Sequence, residues 1–232
     1  MIVAAALCAS PPLLHPALTG RDVVLPELRA ACAEAVARLL GEDPETVVVV
    51  GPAVATGEWE PDGVLDSTAF APGAASGGSG RGSLPLSLGL GAMLLDQAGY
   101  RGPRRLLAVS ADEVTSACAA LGAELAVGAT RMAMLVMGDG SARRSLKAPG
   151  HLDPRAEPFD AQVEQAVRDG RPGALLKLDE ALARDLMATG RPAWQVLAGA
   201  IPNDALVTEV LYRDDPFGVA YLVASLHPRA RS

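Results

Sequence analysis

Three short, unbroken apolar runs constrain the fold of this chain more than any other feature. Every residue within each run is apolar. The runs are Ile2–Cys8, the four valines 47–50 and Met132–Met137. Strands of this kind are buried on both faces, as in a parallel sheet that is covered by helices on each side. The sequence therefore predicts the α/β fold class, as an α/β/α domain with a mixed, mostly parallel central sheet.

The segments between these runs have helical spacing. Residues 25–40 place apolar side chains on one face and end at Gly41, which is typical of a helix. Further helices are predicted over 86–98, 159–168, 174–189 with a break near Asp179, and 192–200, with a strand over 105–109 and a capping box over 110–113. Residues 206–212 and 219–226 predict a C-terminal β-hairpin. Trp194 is expected to pack in the core, and Trp59 is expected in a loop. We expect one domain over 1–232, containing a flexible Gly- and Ser-rich loop at 71–83.

Composition and charge limit the classes of partner. Half of the 232 residues are apolar and the net charge is -7, which argues against a nucleic-acid surface. No apolar run reaches the ~18 residues of a membrane span, and the first residues lack the basic segment of a signal peptide. Cys8, Cys32 and Cys118 are widely spaced and form no CxxC pair, so we expect buried, reduced thiols and a cytoplasmic location.

A Gly-rich turn follows the third apolar run, and other fragments accompany it along the chain. The turn reads Gly138-Asp139-Gly140-Ser141-Ala142, and the fragments are 84–89, 94–99, 149–150, 159–160 and 216–221. Their order and spacing resemble the family of B-type subunits of the class III extradiol ring-cleavage dioxygenases, whose superfamily includes the Memo-like proteins. The likeness is closest to actinobacterial members of unassigned function, and it implies the same single α/β/α domain.

The resemblance also implies which residues the family's chemistry would need. The family holds Fe(II) with two His and one Glu, and a His closing the Gly-rich turn acts as acid and base. Here Ser10 stands at the first His position, no His occurs in 51–54, Ala188 lies near the Glu position, and Ala142 closes the turn. Serine and alanine cannot replace these ligands. We therefore expect a degenerate, noncatalytic member that binds no metal cofactor and is not an active extradiol dioxygenase.

The remaining polar residues predict a binding cleft rather than a catalytic centre. Loops that leave the carboxyl ends of parallel strands meet at one edge of the sheet, where α/β proteins bind ligands. The candidates for ligand binding are Ser10, His15, Asp139, Ser141, Arg143 and His151. The basic residues favour a small anionic ligand, an aromatic ligand is also compatible with the family, and a protein partner or a second copy of the chain is an alternative occupant.

A second hypothesis keeps metal chemistry at a rearranged site. His15, Asp139 and His151 are chemically a 2-His-1-carboxylate set, which suits Fe(II) or another divalent metal. The protein would then be a non-haem metal-dependent oxidoreductase. A third hypothesis is a structural component of a larger complex, with the hairpin strand 219–226 as an exposed edge. The sequence leaves these alternatives open.

Overall fold

The structure is a computed structural model that describes residues 1–19, 22–65, 82–127, 131–201 and 206–228. The strands are β1 (Ile2–Cys8), β2 (Thr46–Ala53), β3 (Gly57–Trp59), β4 (Val64–Leu65), β5 (Ser83–Leu84), β6 (Arg104–Ser110), β7 (Met132–Met137), β8 (Leu206–Asp214) and β9 (Tyr221–Pro228). The helices are α1 (Pro16–Thr19), α2 (Pro26–Gly41), α3 (Leu86–Gln97), α4 (Thr115–Ala126), α5 (Ala156–Arg168), α6 (Glu180–Asp185) and α7 (Arg191–Ala200). Short 3-10 helices lie at Pro12–Leu14 and Pro172–Lys177.

Seven strands form the central sheet in the order β3-β6-β2-β7-β1-β9-β8. The four inner strands β6, β2, β7 and β1 are parallel. β3 and β9 pair antiparallel with their neighbours, and β8 and β9 form the C-terminal hairpin. The predicted fold class, with its mixed and mostly parallel sheet, is confirmed.

Helices cover both faces of the sheet, because each inner strand is apolar on both sides. In β1, Ala4, Ala6 and Cys8 pack with α2 and α3, whereas Ala5 and Leu7 pack with the layer of α4, α5 and α7. The unbroken apolar run in the sequence follows directly from this position between two helical layers.

Helices α4 and α7 approach each other through glycines. A Cβ atom at Gly122 would lie 2.0 Å from the carbonyl oxygen of Val196, and one at Gly199 would lie 2.2 Å from that of Ala119. Trp194, on the same helix α7, is buried as predicted for a core residue. The two glycines let the helix backbones touch, and this fixes the layer that supports the turn after β7.

The predicted start of α4 is wrong. Ser110 is the last residue of β6, and the helix begins five residues later at Thr115. The helix start is capped from outside, because Glu180 accepts hydrogen bonds from the Thr115 N–H (2.7 Å) and hydroxyl (2.6 Å). Trp59, predicted in a loop, instead ends the three-residue edge strand β3. Both errors concern tertiary partners that local sequence patterns do not encode.

Other predictions have mixed outcomes. The break near Asp179 is confirmed, since a 3-10 helix ends before it and Asp179 caps α6 by accepting the Leu182 N–H at 2.7 Å. The three cysteines are buried and free. Most of the tract 71–83 lies outside the described residues, but Ser83 opens β5. Within the ranges that the structure describes, no helix is long and apolar enough to cross a membrane.

Candidate functional site

The chain leaves two neighbouring strands in opposite directions at the carboxyl edge of the sheet. β1 and β7 are adjacent and parallel. The segment after β1 leads to α2 on one face, while the segment after β7 leads to α5 on the other. A crevice forms at such a point in open α/β sheets, and ligands bind there.

Ser10 and Asp139 lie side by side at this edge of the sheet, which we call the crevice. The paired residues at the ends of the two strands are Cys8 and Met137, and the Gly138 N–H continues the ladder by donating to the Cys8 carbonyl at 3.0 Å. The Ser10 N–H then donates to a carboxylate oxygen of Asp139 at 2.7 Å. This bond fixes the Asp139 side chain against the loop after β1.

Tyr221 completes the row from the other neighbour of β1. β9 pairs antiparallel with β1 as far as Leu7 and Ala224. Just before Tyr221, Ala220 accepts the Gly140 N–H at 2.8 Å and donates to the Ser141 carbonyl at 2.9 Å, so Tyr221 lies next to the Gly-rich turn. Burial and then the nearby Asp139 carboxylate raise the pKa of the Tyr221 phenol. The row Asp139–Ser10–Tyr221 therefore spans three neighbouring chain segments.

These three side chains carry polar atoms that nothing in the described part of the chain satisfies. The Ser10 hydroxyl, the second Asp139 carboxylate oxygen and the Tyr221 hydroxyl have no hydrogen bond to any described residue. Ser10 is 5% exposed and Tyr221 is 4% exposed. Buried polar groups in proteins are nearly always paired, so unpaired ones near one another at the end of the sheet indicate a binding position.

Asp139 has an unusual environment for an acid. Burial raises the pKa of its carboxyl to about 7, and the Ser10 N–H offsets only part of that effect. Within the described ranges, no cation pairs with it. Carboxyls with a strongly raised pKa in a crevice mark functional sites more often than structural ones.

Ser141 faces away from the crevice. It is fully buried, and both its N–H (2.9 Å) and its hydroxyl donate to Asp160 on α5. Arg144 lies behind this pair, 2.8 Å from Asp215 and 3.8 Å from Asp160. Ser141 therefore holds the Gly-rich turn onto α5 and the β8–β9 connection, instead of contacting a ligand in the crevice as predicted.

Arg143 and His151 lie in the loop after the Gly-rich turn. The Arg143 guanidinium donates to the Gly150 carbonyl within its own loop. His151 is exposed and adopts a left-handed conformation with φ 59°, its N–H donating to the Ala148 carbonyl. The Arg143 Nε is buried without a hydrogen-bond partner among the described residues, and the expected anion site at this rim stays a prediction.

His15 lies along a different depression. It lines a groove of ≈ 840 Å³ together with residues of β4, α3 and the start of β6, among them Val64, Met93 and Arg104. Burial lowers the pKa of His15. The residues that line this groove include neither Ser10 nor Asp139.

The residues present do not fit the iron that the family resemblance implies. Over the described ranges no three His, Cys, Asp or Glu side chains come together as a metal site, and the alternative set His15, Asp139 and His151 does not assemble. Ala142 is buried, its N–H donating to the Leu186 carbonyl, and Ala188 packs in the core. No step through a bound iron can be built on these positions.

Comparison with known proteins adds the fold and nothing finer. No protein-family model matches the chain, and no curated protein matches its sequence. In structure it is similar to the uncharacterized protein JW3007 from Escherichia coli K12, with a TM-score of 0.55 and 14% identity over 97% of this chain and 99% of that one. At this identity the likeness shows a shared fold only, and the resemblance to the extradiol family stays a prediction.

Tyr221 is the site residue that the sequence reasoning missed. It lies in the fragment 216–221 that contributes to the family resemblance, but neither its residue type nor its spacing distinguishes it from a core tyrosine. The signal exists only in three dimensions, because β9 pairs with β1 and Ala220 bonds to the turn after β7.

Proposed function

We propose that the protein binds a small molecule in the crevice formed by Ser10, Asp139 and Tyr221, and that it does not cleave aromatic rings. The observation that supports the proposal most is that Ser10, Asp139 and Tyr221 each keep an oxygen without a hydrogen bond to any described residue, at the switch point of the sheet. The protein would then be an extradiol dioxygenase-like protein in which the edge of the sheet that holds iron in the family serves only to bind a ligand.

The environment of Asp139 favours a ligand that donates hydrogen bonds. One carboxylate oxygen already accepts the Ser10 N–H, and the other is left to accept from a ligand. The backbone N–H groups of Gly138 and Gly140 are not donors to a ligand, since they bond to the carbonyls of Cys8 and Ala220. The Ser10 and Tyr221 hydroxyls can donate or accept, whereas the ionised Asp139 carboxylate can only accept, so a ligand hydroxyl or amine matches that oxygen.

The loss of ring cleavage follows from residue types. A hydroxyl and two methyl groups, at Ser10, Ala142 and Ala188, offer neither the imidazoles nor the carboxylate of the family's iron site. These side chains give ring cleavage no group to act through.

The proposal is tested by nuclear magnetic resonance with an isotopically labelled protein. Four probes of different chemistry are titrated: n-butylamine, n-butanol, butyrate and catechol. We expect at least one probe to shift the backbone amides of Ser10, Asp139 and Tyr221, and Asp139→Asn or Ser10→Ala to weaken that response. Asp169→Asn removes an exposed carboxylate at the far end of α5 and should leave the response unchanged.

Two results would overturn the proposal. One is a set of titrations in which no probe shifts the three amides, or in which all shifts map to another surface. The other is oxygen uptake with catechol by the protein after anaerobic loading with Fe(II), since this would show that a ring-cleaving site exists despite the residues present.

A further inference from the structure

Among the described residues, the crevice contains a carboxylate that no positively charged side chain pairs with. Asp139 has no ion-pair partner in the part of the chain that the structure describes, and only burial and the Ser10 N–H perturb it. The two arginines of the adjacent loop are turned elsewhere, Arg143 to the Gly150 carbonyl and Arg144 to Asp215. The crevice therefore presents a carboxylate whose charge the protein leaves uncompensated.

Asp139, Ser10 and Tyr221 offer hydrogen-bond acceptors to a ligand that carries several N–H donors. Ser10 bonds directly to Asp139, and Tyr221 follows Ala220, which bonds to Gly140 and Ser141 of the turn that carries Asp139. Each of the three side chains has an oxygen that can accept a hydrogen bond. A primary ammonium group has three N–H donors and one positive charge, which matches three acceptors of which one is a carboxylate.

Resting on the proposed function, we infer that the ligand of this crevice carries a primary ammonium group bound between Asp139, Ser10 and Tyr221. The ammonium supplies the countercharge that the protein withholds, and its hydrogen bond to Asp139 is charge-assisted. A carboxylate in the same place would face Asp139 as a like charge. A neutral hydroxyl would satisfy the acceptors without compensating the carboxylate.

The four-carbon series separates these cases because its members differ only in the head group. We expect n-butylamine to bind the wild type about 10-fold more tightly than n-butanol, since charge-assisted bonds are about twice as strong as neutral ones. Butyrate should bind most weakly. Asp139→Asn should abolish the preference for the amine while leaving n-butanol within about 3-fold, and Asp169→Asn should change neither.

Each outcome of the wild-type titrations decides one of the two proposals. Equal affinity for n-butylamine and n-butanol at the crevice would overturn the ammonium inference and leave the binding function standing. A preference for butyrate would overturn it as well. Absence of any response at Ser10, Asp139 and Tyr221 would remove both. Tyr221→Phe tests the third acceptor independently of Asp139, with an expected loss of about 3-fold for n-butylamine.

Discussion

Among single residues, Asp139 is unusual because the fold places its carboxyl where burial disfavours the ionised form. Its neighbours in the turn are fully used: Gly138 and Gly140 bond to backbone carbonyls, and Ser141 bonds to Asp160. The Asp139 carbonyl itself accepts the Gly190 N–H at 2.8 Å. The backbone of the residue is thus fixed from two sides while its carboxyl remains available, which is the arrangement expected of a residue kept for binding at some cost in stability.

Asp139→Asn should stabilise the protein at high pH. The pKa of about 7 in the folded state lies above the ordinary value of 3.8, so the folded protein holds this proton more tightly than the unfolded chain. The associated stability is present at low pH and is lost as the pH rises from about 4 to 7. Asparagine cannot ionise and still accepts the Ser10 N–H. Its advantage over the wild type should grow by about 2 kcal/mol between about pH 5 and about pH 8.

Urea unfolding at several pH values measures this difference, with Asp169→Asn as the exposed matched variant. A difference between wild type and Asp139→Asn that stays constant over the range would show that the Asp139 carboxyl ionises in the folded state as it does in a peptide.

Ser141→Ala should destabilise the protein without emptying the crevice. The hydroxyl bonds to Asp160, a largely buried carboxyl whose pKa is raised by burial, and its removal leaves that group short of one donor. We expect a loss of about 1–2 kcal/mol in the free energy of unfolding. Ser116→Ala, at an exposed position of α4, is the control and should change stability little. Unaltered stability in Ser141→Ala would mean that the turn is held by its backbone bonds alone.

At the scale of elements, the contact between α4 and α7 is set by glycines rather than by large side chains. Any side chain at Gly122 or Gly199 would meet the opposite helix backbone, which cannot give way as a flexible side chain would. Helix α7 also carries Trp194, whose ring lies against Gly190, the residue that bonds to Asp139. The spacing of these helices is therefore part of what positions the turn after β7.

Gly122→Ala and Gly199→Ala should each lower the free energy of unfolding by about 3 kcal/mol, because the added methyl group forces the two helices apart. Gly41→Ala is the matched control: it ends α2, and a Cβ there meets nothing within 4 Å. The control should be neutral or stabilise slightly, since alanine is the better helix former. Equal effects at all three glycines would show that helix propensity and not close packing governs this layer.

Across the whole molecule, the sequence predicted the parts of the structure that local patterns encode. The apolar runs Ile2–Cys8 and Met132–Met137 became strands with those bounds, because burial between two helical layers removes polar residues from both faces. Trp59 was misplaced because the three-residue strand β3 exists only through its pairing with β6. The crevice was predicted in part, because parallel strands bring Ser10 and Asp139 together. Tyr221 was not predicted, because it is placed by β9, an antiparallel strand from the C-terminal part of the chain.

The behaviour of the whole chain towards iron is the most direct check on the resemblance and its implied loss of function. The sequence contains three histidines, and among the described residues no three His, Cys, Asp or Glu side chains come together as a metal site. After anaerobic incubation with Fe(II) and desalting, we expect well below one iron per chain, because high-affinity sites of this kind need three protein ligands held together.

Metal analysis of the desalted protein gives the ratio, and His15→Ala and His151→Ala give the controls. A ratio near one that either variant abolished, without a change in the thermal unfolding midpoint, would show that His15, Asp139 and His151 assemble in a conformation other than the one described. The crevice would then be a metal site, and the preference for an ammonium group would have to give way to a divalent cation competing for the same carboxylate. A low ratio in the wild type leaves Asp139 with its uncompensated charge, which is the condition on which recognition of an ammonium group depends.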